Sequence, residues 1–188
     1  SDVYKRQTQD STYFYQGKEM YSWTKEHLQD KTDYLYFDRI NIDGSVGPAK
    51  HAYNSGQMMQ SAAIQYKLTK DTVYLIDAQK IAKSCYDYFF RDYVTASGKQ
   101  IRLLKKGDVW FSAVMLRGFA ELYSLDKNDM YVTEFAKSLD YAWLHARDEY
   151  GLFGVDYSGE CCDPKKWLLT QAAMVEMYAR LAILNCNL

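Results

Sequence analysis

No stretch of this 188-residue chain reaches the roughly 18 consecutive apolar residues that a membrane-crossing helix needs, and no secretory leader is visible at its start. Charge of one sign is lacking too: 23 Lys and Arg are interspersed with 24 Asp and Glu, for a net charge of -1. With no basic stripe and no acidic tail, nucleic acid and anionic membranes are poor partners. Cysteine is scarce. Cys85, Cys161, Cys162 and Cys186 show no metal-ligand spacing, and the neighbours Cys161 and Cys162 are badly placed to bridge each other. Cys85 falls on an apolar helical face and reads as a small buried hydrophobe, which leaves the redox compartment open. His27, His51 and His145 have no Ser or Cys partner in a recognisable arrangement, so a nucleophilic triad has no support. Gly-rich phosphate loops are missing. Nothing in these patterns asks for a cofactor or a metal ion.

What the chain has in excess is aromatic surface, 16% of residues, with 18 Tyr and 4 Trp. A tyrosine has an apolar face and a polar tip, which suits a sugar with its C–H faces and hydroxyl edges. Tyrosines also fill gaps between helices, and the sequence leaves both readings open. At 48% hydrophobic and 25% charged, the chain is long enough for one substantial core and is expected to form one domain.

The strongest organising signal is a repeat. A shift of 57 aligns Tyr53 with Trp110, Met58 with Met115, Ala63 with Ala120, Tyr66 with Tyr123, Leu68 with Leu125 and Tyr74 with Tyr131. A third copy places Met174, Ala179 and Leu181 a further 59 residues beyond Met115, Ala120 and Leu122. A period of this length, filled by two helices and a loop, marks stacked helical hairpins that bury their apolar faces only against neighbours.

Apolar periodicity predicts six helices. The first spans about Gly17 to Gln29, with Met20, Trp23, His27 and Leu28 on one side. The second is capped by Asn54 or Ser55 and ends near Lys70. Asp71 opens the third, whose stripe is Tyr74, Ala78, Ile81, Ala82, Cys85 and Phe89. The fourth covers about Ser112 to Leu125, the fifth Asp129 to Arg147 along Tyr131, Phe135, Leu139, Ala142 and Ala146, and the sixth Trp167 to Leu184. Between the first pair, Tyr34 to Ile42 with the turn Asp43-Gly44 reads as loop with a short hairpin. Tyr93–Thr95 and Ile101–Leu103 flank Ser97-Gly98 as a second hairpin. Tyr150 to Gly159 is a Gly-rich loop. The first, third and fifth helices are apolar on one face and the others on most of their girth, which places the former outside and the latter lining the centre of a ring.

Several segments resemble glycoside hydrolase family 76, the endo-α-1,6-mannanases. They are Tyr53-Asn54-Ser55-Gly56-Gln57-Met58, Lys67-Leu68-Thr69-Lys70-Asp71 with Tyr74-Leu75 and Ala78-Gln79, and Trp110-Phe111 through Leu116-Arg117-Gly118 to Glu121-Leu122-Tyr123. Gly151-Leu152-Phe153-Gly154, with Asp156, Ser158 and Gly159, is similar to the family's loop before its last inner helix. The resemblance implies an all-α (α/α)6 toroid of six inner and six outer helices. It covers about Gly17 to the C-terminus and corresponds to the second half of that domain, so the chain is expected to form an incomplete half barrel with short β-hairpin loops. An address outside the cell, at its surface or in the periplasm is also implied.

The family's catalytic carboxylates are an adjacent Asp-Asp pair, and this sequence contains no Asp-Asp. Asp148 and Glu149, the neighbouring acids, follow a helix and do not stand in that position, so no catalytic residue is carried over. The chain opens on Ser1 rather than Met and looks cut. Residues 1–16, containing Asp2-Val3-Tyr4-Lys5-Arg6-Gln7, resemble a ragged junction and are expected to be poorly ordered or unrelated to the repeat. Residues 17–188 are then the partial domain. A half ring is expected to leave apolar surface exposed along two open edges.

Tyr53 and Asn54 start one inner helix and Trp110 and Phe111 the next, so all four are expected at one end of the ring. If that end is a cleft for mannan, Tyr53 and Trp110 are stacking platforms and Asn54 bonds a hydroxyl. Otherwise Asn54 is a helix cap and the aromatics staple loops to helices. Asp38 and Asp156 are candidate hydroxyl partners, or solvated turn aspartates. Three functions stay open: part of a mannan-cleaving glycosidase whose acids lie elsewhere, a non-catalytic helical-repeat module that binds carbohydrate or acts as a scaffold, and another toroidal carbohydrate enzyme such as an epimerase or lyase.

Overall fold

The computed structural model describes residues 11–161 and 163–185. Residues 1–10 of the expected ragged segment, Cys162 and Cys186 lie outside the described residues. Among those described are six helices, α1 (Thr12–Leu28), α2 (Ala52–Thr69), α3 (Thr72–Phe89), α4 (Val109–Asp126), α5 (Met130–His145) and α6 (Leu168–Asn185). Two antiparallel hairpins interrupt them: β1 (Phe37–Ile40) with β2 (Val46–Lys50), and β3 (Phe90–Val94) with β4 (Gln100–Leu104). No helix among the described residues is long and apolar enough to cross a membrane.

The repeat read from residue types recurs atom for atom at the helix ends. Lys70 and Lys127, 57 residues apart, both take the left-handed conformation (φ 60° and 59°) and donate their N–H groups to Tyr66 O at 2.8 Å and Tyr123 O at 3.0 Å. Each lysine ammonium then lies 5.7 Å from the centre of the ring of the same tyrosine. A cation here also suits the negative end of the helix dipole. Asp71 accepts from Val73 N at 3.0 Å and Asn128 from Met130 N at 3.2 Å, starting the next helix within a few residues. The inner-to-outer turns are therefore short. The outer-to-inner connections hold the two hairpins and the loop 146–167, and all lie at the end where α2, α4 and α6 begin.

The inner helices pack side by side, α2 on α4 and α4 on α6, with α3 and α5 behind them. The closest approach is between α2 and α4. A Cβ on Gly56 would stand 2.4 Å from Met115 Cα, and one on Gly118 2.6 Å from Gly56 O, distances that backbone atoms cannot concede. Around this crossing Met59, Ala62, Ala63, Met115, Leu116, Phe119, Ile81, Phe135 and Leu139 are fully buried. Ion pairs tie the inner helices on their more exposed face. Lys67 pairs with Glu121, and the Arg117 guanidinium grips Glu176 with two bonds of 2.7 Å while Arg180 adds a third at 2.7 Å.

Several expected boundaries and faces move. Helix α1 begins at Thr12 rather than Gly17, and its Met20 (62%) and Trp23 (44%) face solvent; Tyr21 is the buried residue, its hydroxyl bonded to Asp77 at 3.0 Å. Having neighbours on one side only, α1 buries a narrow stripe. Asn54 does not cap α2: His51 holds the cap position, without a side-chain bond, and Asn54 sits in the first turn. Phe89 is half-buried, while Phe90, the first residue of β3, is buried against Phe135. At the other end of the arc α6 exposes Leu168 (83%), Val175 (69%) and Ile183 (64%). Apolar surface is thus open at both edges, as a half ring requires.

Two outcomes follow from this packing. Gly118→Ala is expected to lower stability by about 1–3 kcal/mol, because overpacking the crossing outweighs the helix propensity gained. Gly17→Ala in exposed α1, where the new Cβ would find only Gln65 Nε2 at 4.0 Å, is expected to gain up to about 1 kcal/mol; circular-dichroism melting compares the two. The bond from Arg117, helped by that from Arg180, holds the Glu176 carboxyl down at about 2 from its ordinary 4.5. Its contribution is complete above that ordinary value and is lost as pH falls through about 2. Acid titration of unfolding is expected to be shallower for Glu176→Gln than for the native chain over that interval.

Candidate functional site

The loop end of the arc gathers side chains from two repeats. Hairpin β1–β2 folds over the start of α2 and brings Asp38 to it. Asp38 Oδ1 accepts from Tyr53 OH at 2.6 Å and from Asn54 Nδ2 at 3.0 Å, with His51 Nε2 4.0 Å away. The bond from Tyr53, then that from Asn54, holds the Asp38 carboxyl below the usual carboxylate range, and the same carboxylate raises the Tyr53 phenol. Asp38 is therefore an anion at neutral pH, placed where the N-terminus of α2 adds a partial positive charge.

Four rings form one cluster beside it. Tyr53 has near-parallel neighbours in His51 (5.7 Å, 8°) and Trp110 (5.1 Å, 24°). Phe111 packs against Tyr53 at 4.6 Å, His51 at 5.2 Å and edge-on to Trp110 at 4.4 Å. Trp110 and Phe111 occupy the first turn of α4, positioned by the Gly56–Gly118 crossing that sets α4 against α2. Trp110 also borders a hollow of about 230 Å³ walled further by Asp108, Asp163, Lys165 and Trp167.

Five of the six residues singled out from sequence, Asp38, Tyr53, Asn54, Trp110 and Phe111, are thus brought together. Asp156 is not among them. It is 7% exposed, and its carboxylate is taken up by its own loop, accepting from Ser158 N at 3.0 Å, Ser158 Oγ at 2.8 Å and Cys161 N at 3.1 Å. Its place is to shape loop 146–167, which is pinned at Gly159, where a Cβ would meet His145 O at 1.9 Å. Sequence reading missed His51, Asp108, Asp163 and Trp167. Trp167 carried a weaker signal: it falls 57 residues beyond Trp110, two short of the 59-residue shift that aligns the third copy.

Such an arrangement, flat aromatic faces beside a fixed carboxylate and amide, recognises polyhydroxylated rings: the faces take C–H groups and the polar atoms take hydroxyls. No pair of carboxylates across a bond-sized gap is present among the clustered residues, so the cluster supplies binding and orientation.

Comparison with known proteins bears on this end of the molecule. The family model described as glycosyl hydrolase family 76 matches residues 4–185. Among solved structures, the chain is similar to a family 76 glycoside hydrolase from a bovine Bacteroides thetaiotaomicron strain, with 35% identity and a TM-score of 0.90 over 96% of this chain and 40% of that one. A family 76 mannosidase from Bacteroides thetaiotaomicron VPI-5482 shares 34% identity with a TM-score of 0.90, over 97% of this chain and 52% of that one. An inactive variant of an α-1,6-mannanase from Salegentibacter sp. HEL1_6, with two adjacent aspartates replaced and in complex with α-1,6-mannotetrose, shares 26% identity, with a TM-score of 0.77 over 97% and 55% of the two chains. No curated protein is matched. The chain spans about half the length of these solved relatives, and its arc corresponds to half of an (α/α)6 toroid. It belongs to glycosyl hydrolase family 76.

Proposed function

We propose that this chain is the sugar-holding part of a glycosidase acting on α-1,6-linked mannan, with the pair of reacting carboxylates supplied from outside these 188 residues. The observation that carries the proposal is the cluster of Asp38, Tyr53, Asn54, Trp110 and Phe111 at the loop end of the arc. Relatives of this fold, one of them solved in complex with α-1,6-mannotetrose, support the choice of sugar.

In the retaining reaction that the family resemblance implies, one carboxylate attacks the anomeric carbon while the other, kept protonated, gives its proton to the leaving oxygen. The two stand about 5–5.5 Å apart. This chain has no adjacent Asp-Asp, and the relative in which such a pair was replaced is inactive. What the present residues do is bind and orient. Trp110 offers its indole face to a pyranose ring, with Tyr53 stacked on that indole and Phe111 edge-on against it to fix it. Asp38 accepts from sugar hydroxyls and, through Tyr53 and Asn54, holds the first turn of α2 in one arrangement. A non-catalytic carbohydrate-binding module is the second reading, favoured by the missing dyad alone.

The purified chain is expected to bind α-1,6-mannotriose in titration calorimetry and to release no reducing ends from α-1,6-mannan. Trp110→Ala is expected to weaken that binding about tenfold, roughly 1.4 kcal/mol. Absence of binding by the native chain overturns the proposal, and turnover by it overturns the assignment of the acids to another segment. If the chain joined to a segment carrying an Asp-Asp pair still fails to cleave while sugar binding persists, the module reading is favoured.

A further inference from the structure

The repeat gives each inner helix a leading and a trailing face. At the crossing of α2 with α4, Gly56 and Met59 on the leading face of α2 meet Met115 and Gly118 on the trailing face of α4. The shifts of 57 and 59 carry these positions along the chain. Gly56 and Met59 correspond to Ala113 and Leu116 of α4, and these to Ala172 and Val175 of α6. On the trailing side, Met115 and Gly118 correspond to Met58 and Ser61 of α2 and to Met174 and Met177 of α6.

Burial follows the neighbours. Met59, Ala113 and Leu116 are buried on their leading faces, and Met115, Met174 and Met177 on their trailing ones. On α6 the leading positions are exposed, Val175 at 69%, in an apolar stripe of Leu168, Ala172, Val175 and Ala179 at helical spacing. At the opposite edge, Met58 and Ser61 are half-buried. With Gln65 they form the inner wall of a groove of about 280 Å³ whose outer wall is Met20, Tyr21 and Thr24 of α1. The stripe and the groove are the two sides of one seam, and both are present in a single sequence.

We propose that a second copy of this chain covers both edges, with the α6 stripe of each copy seated in the α1–α2 groove of the other. The contact is heterologous, yet it closes. Three helical pairs make half a ring, so a twofold axis along the ring axis brings two copies to six pairs. Sterics allow the seam: in the repeat register Ala172 faces Ser61 of the other copy, a smaller pair than Ala113 and Met177, the corresponding positions of the packed helices α4 and α6. Neither the stripe nor the groove carries a charged side chain, so joining them strips no ion of water. Each seam runs along an 18-residue helix, about 27 Å at 1.5 Å per residue, and closure makes two seams. The inference does not rest on the sugar-binding function, and a ring closed in this way still lacks an Asp-Asp pair.

Sedimentation equilibrium and light scattering of the full chain test it, with circular dichroism to verify the fold of each variant. The native chain is expected to have twice its 21.9 kDa mass. Val175→Glu, at a site exposed within one copy, puts a carboxylate into both seams and is expected to weaken dimerisation at least about a hundredfold. Ser61→Lys, on the facing wall, is expected to do the same. An equimolar mixture of the two variants is expected to recover dimers, because the new carboxylate meets the new ammonium in one seam and the other seam is native. A native chain that stays monomeric overturns the proposal, including one that associates only with an added segment carrying an Asp-Asp pair. Assemblies larger than a dimer overturn closure at two copies. Dimers that survive Ser61→Lys, or a mixture that stays monomeric, overturn the pairing of stripe with groove.

Discussion

The arc depends on one steric condition, the contact of the α2 and α4 backbones at Gly56 and Gly118. Inner helices of a ring must come closer than ordinary side chains permit, because the inner circumference is shorter than the outer. Glycine at these two positions lets Met115 Cα lie where a Cβ of residue 56 would be. From that crossing the other relations follow. The first turns of α2 and α4 come side by side, so Tyr53 meets Trp110, and Lys67 and Glu121 come within reach of each other farther along. Close-packed interiors transmit small displacements, so the crossing sets the geometry of the loop end as well as the stability of the core.

A division of labour runs along the axis of each hairpin. At the short-turn end, paired Tyr–Lys caps and Asp or Asn helix starts repeat with little variation. At the long-loop end each repeat differs: a hairpin delivers Asp38, a second hairpin lies over α5 with Leu104 N bonded to Ser138 Oγ at 3.2 Å, and a glycine-containing loop delivers Asp163 and Trp167. The repeat conserves what every helical pair needs in order to stack. Variation is confined to the end where N-termini of three inner helices concentrate partial positive charge and where a ligand can approach.

Much of the fold was legible because its signals are periodic. The 57-residue interval, the alternation of one-faced and many-faced helices and the turn pairs Asp43-Gly44 and Ser97-Gly98 each report a local preference that the neighbours reinforce. Legibility failed where burial depends on a missing neighbour. The Met20–Trp23 side of α1 has the apolar spacing of a core face, yet it lies at an edge of the arc and stays exposed, while Tyr21 is buried by its bond to Asp77. Of the candidate site, the four residues at helix starts could be read together, since a shared register implies a shared end. Asp156 could not be told from Asp38 by type or by its place in a loop. Its carboxylate is used by Ser158 and Cys161 N–H groups, whereas that of Asp38 reaches across to another element.

Residue order alone determined the helical repeat, the family and the lack of an Asp-Asp pair, because each is a matter of spacing along one dimension. Which faces are covered, which carboxylates are bound up in their own turns and which tryptophans border a common hollow was decided only by tertiary structure. The covered faces and the shared hollow depend on distances between segments far apart in the chain, set by how closely two glycine-bearing helices can cross, and the state of each carboxylate on whether its own turn's N–H groups reach it first.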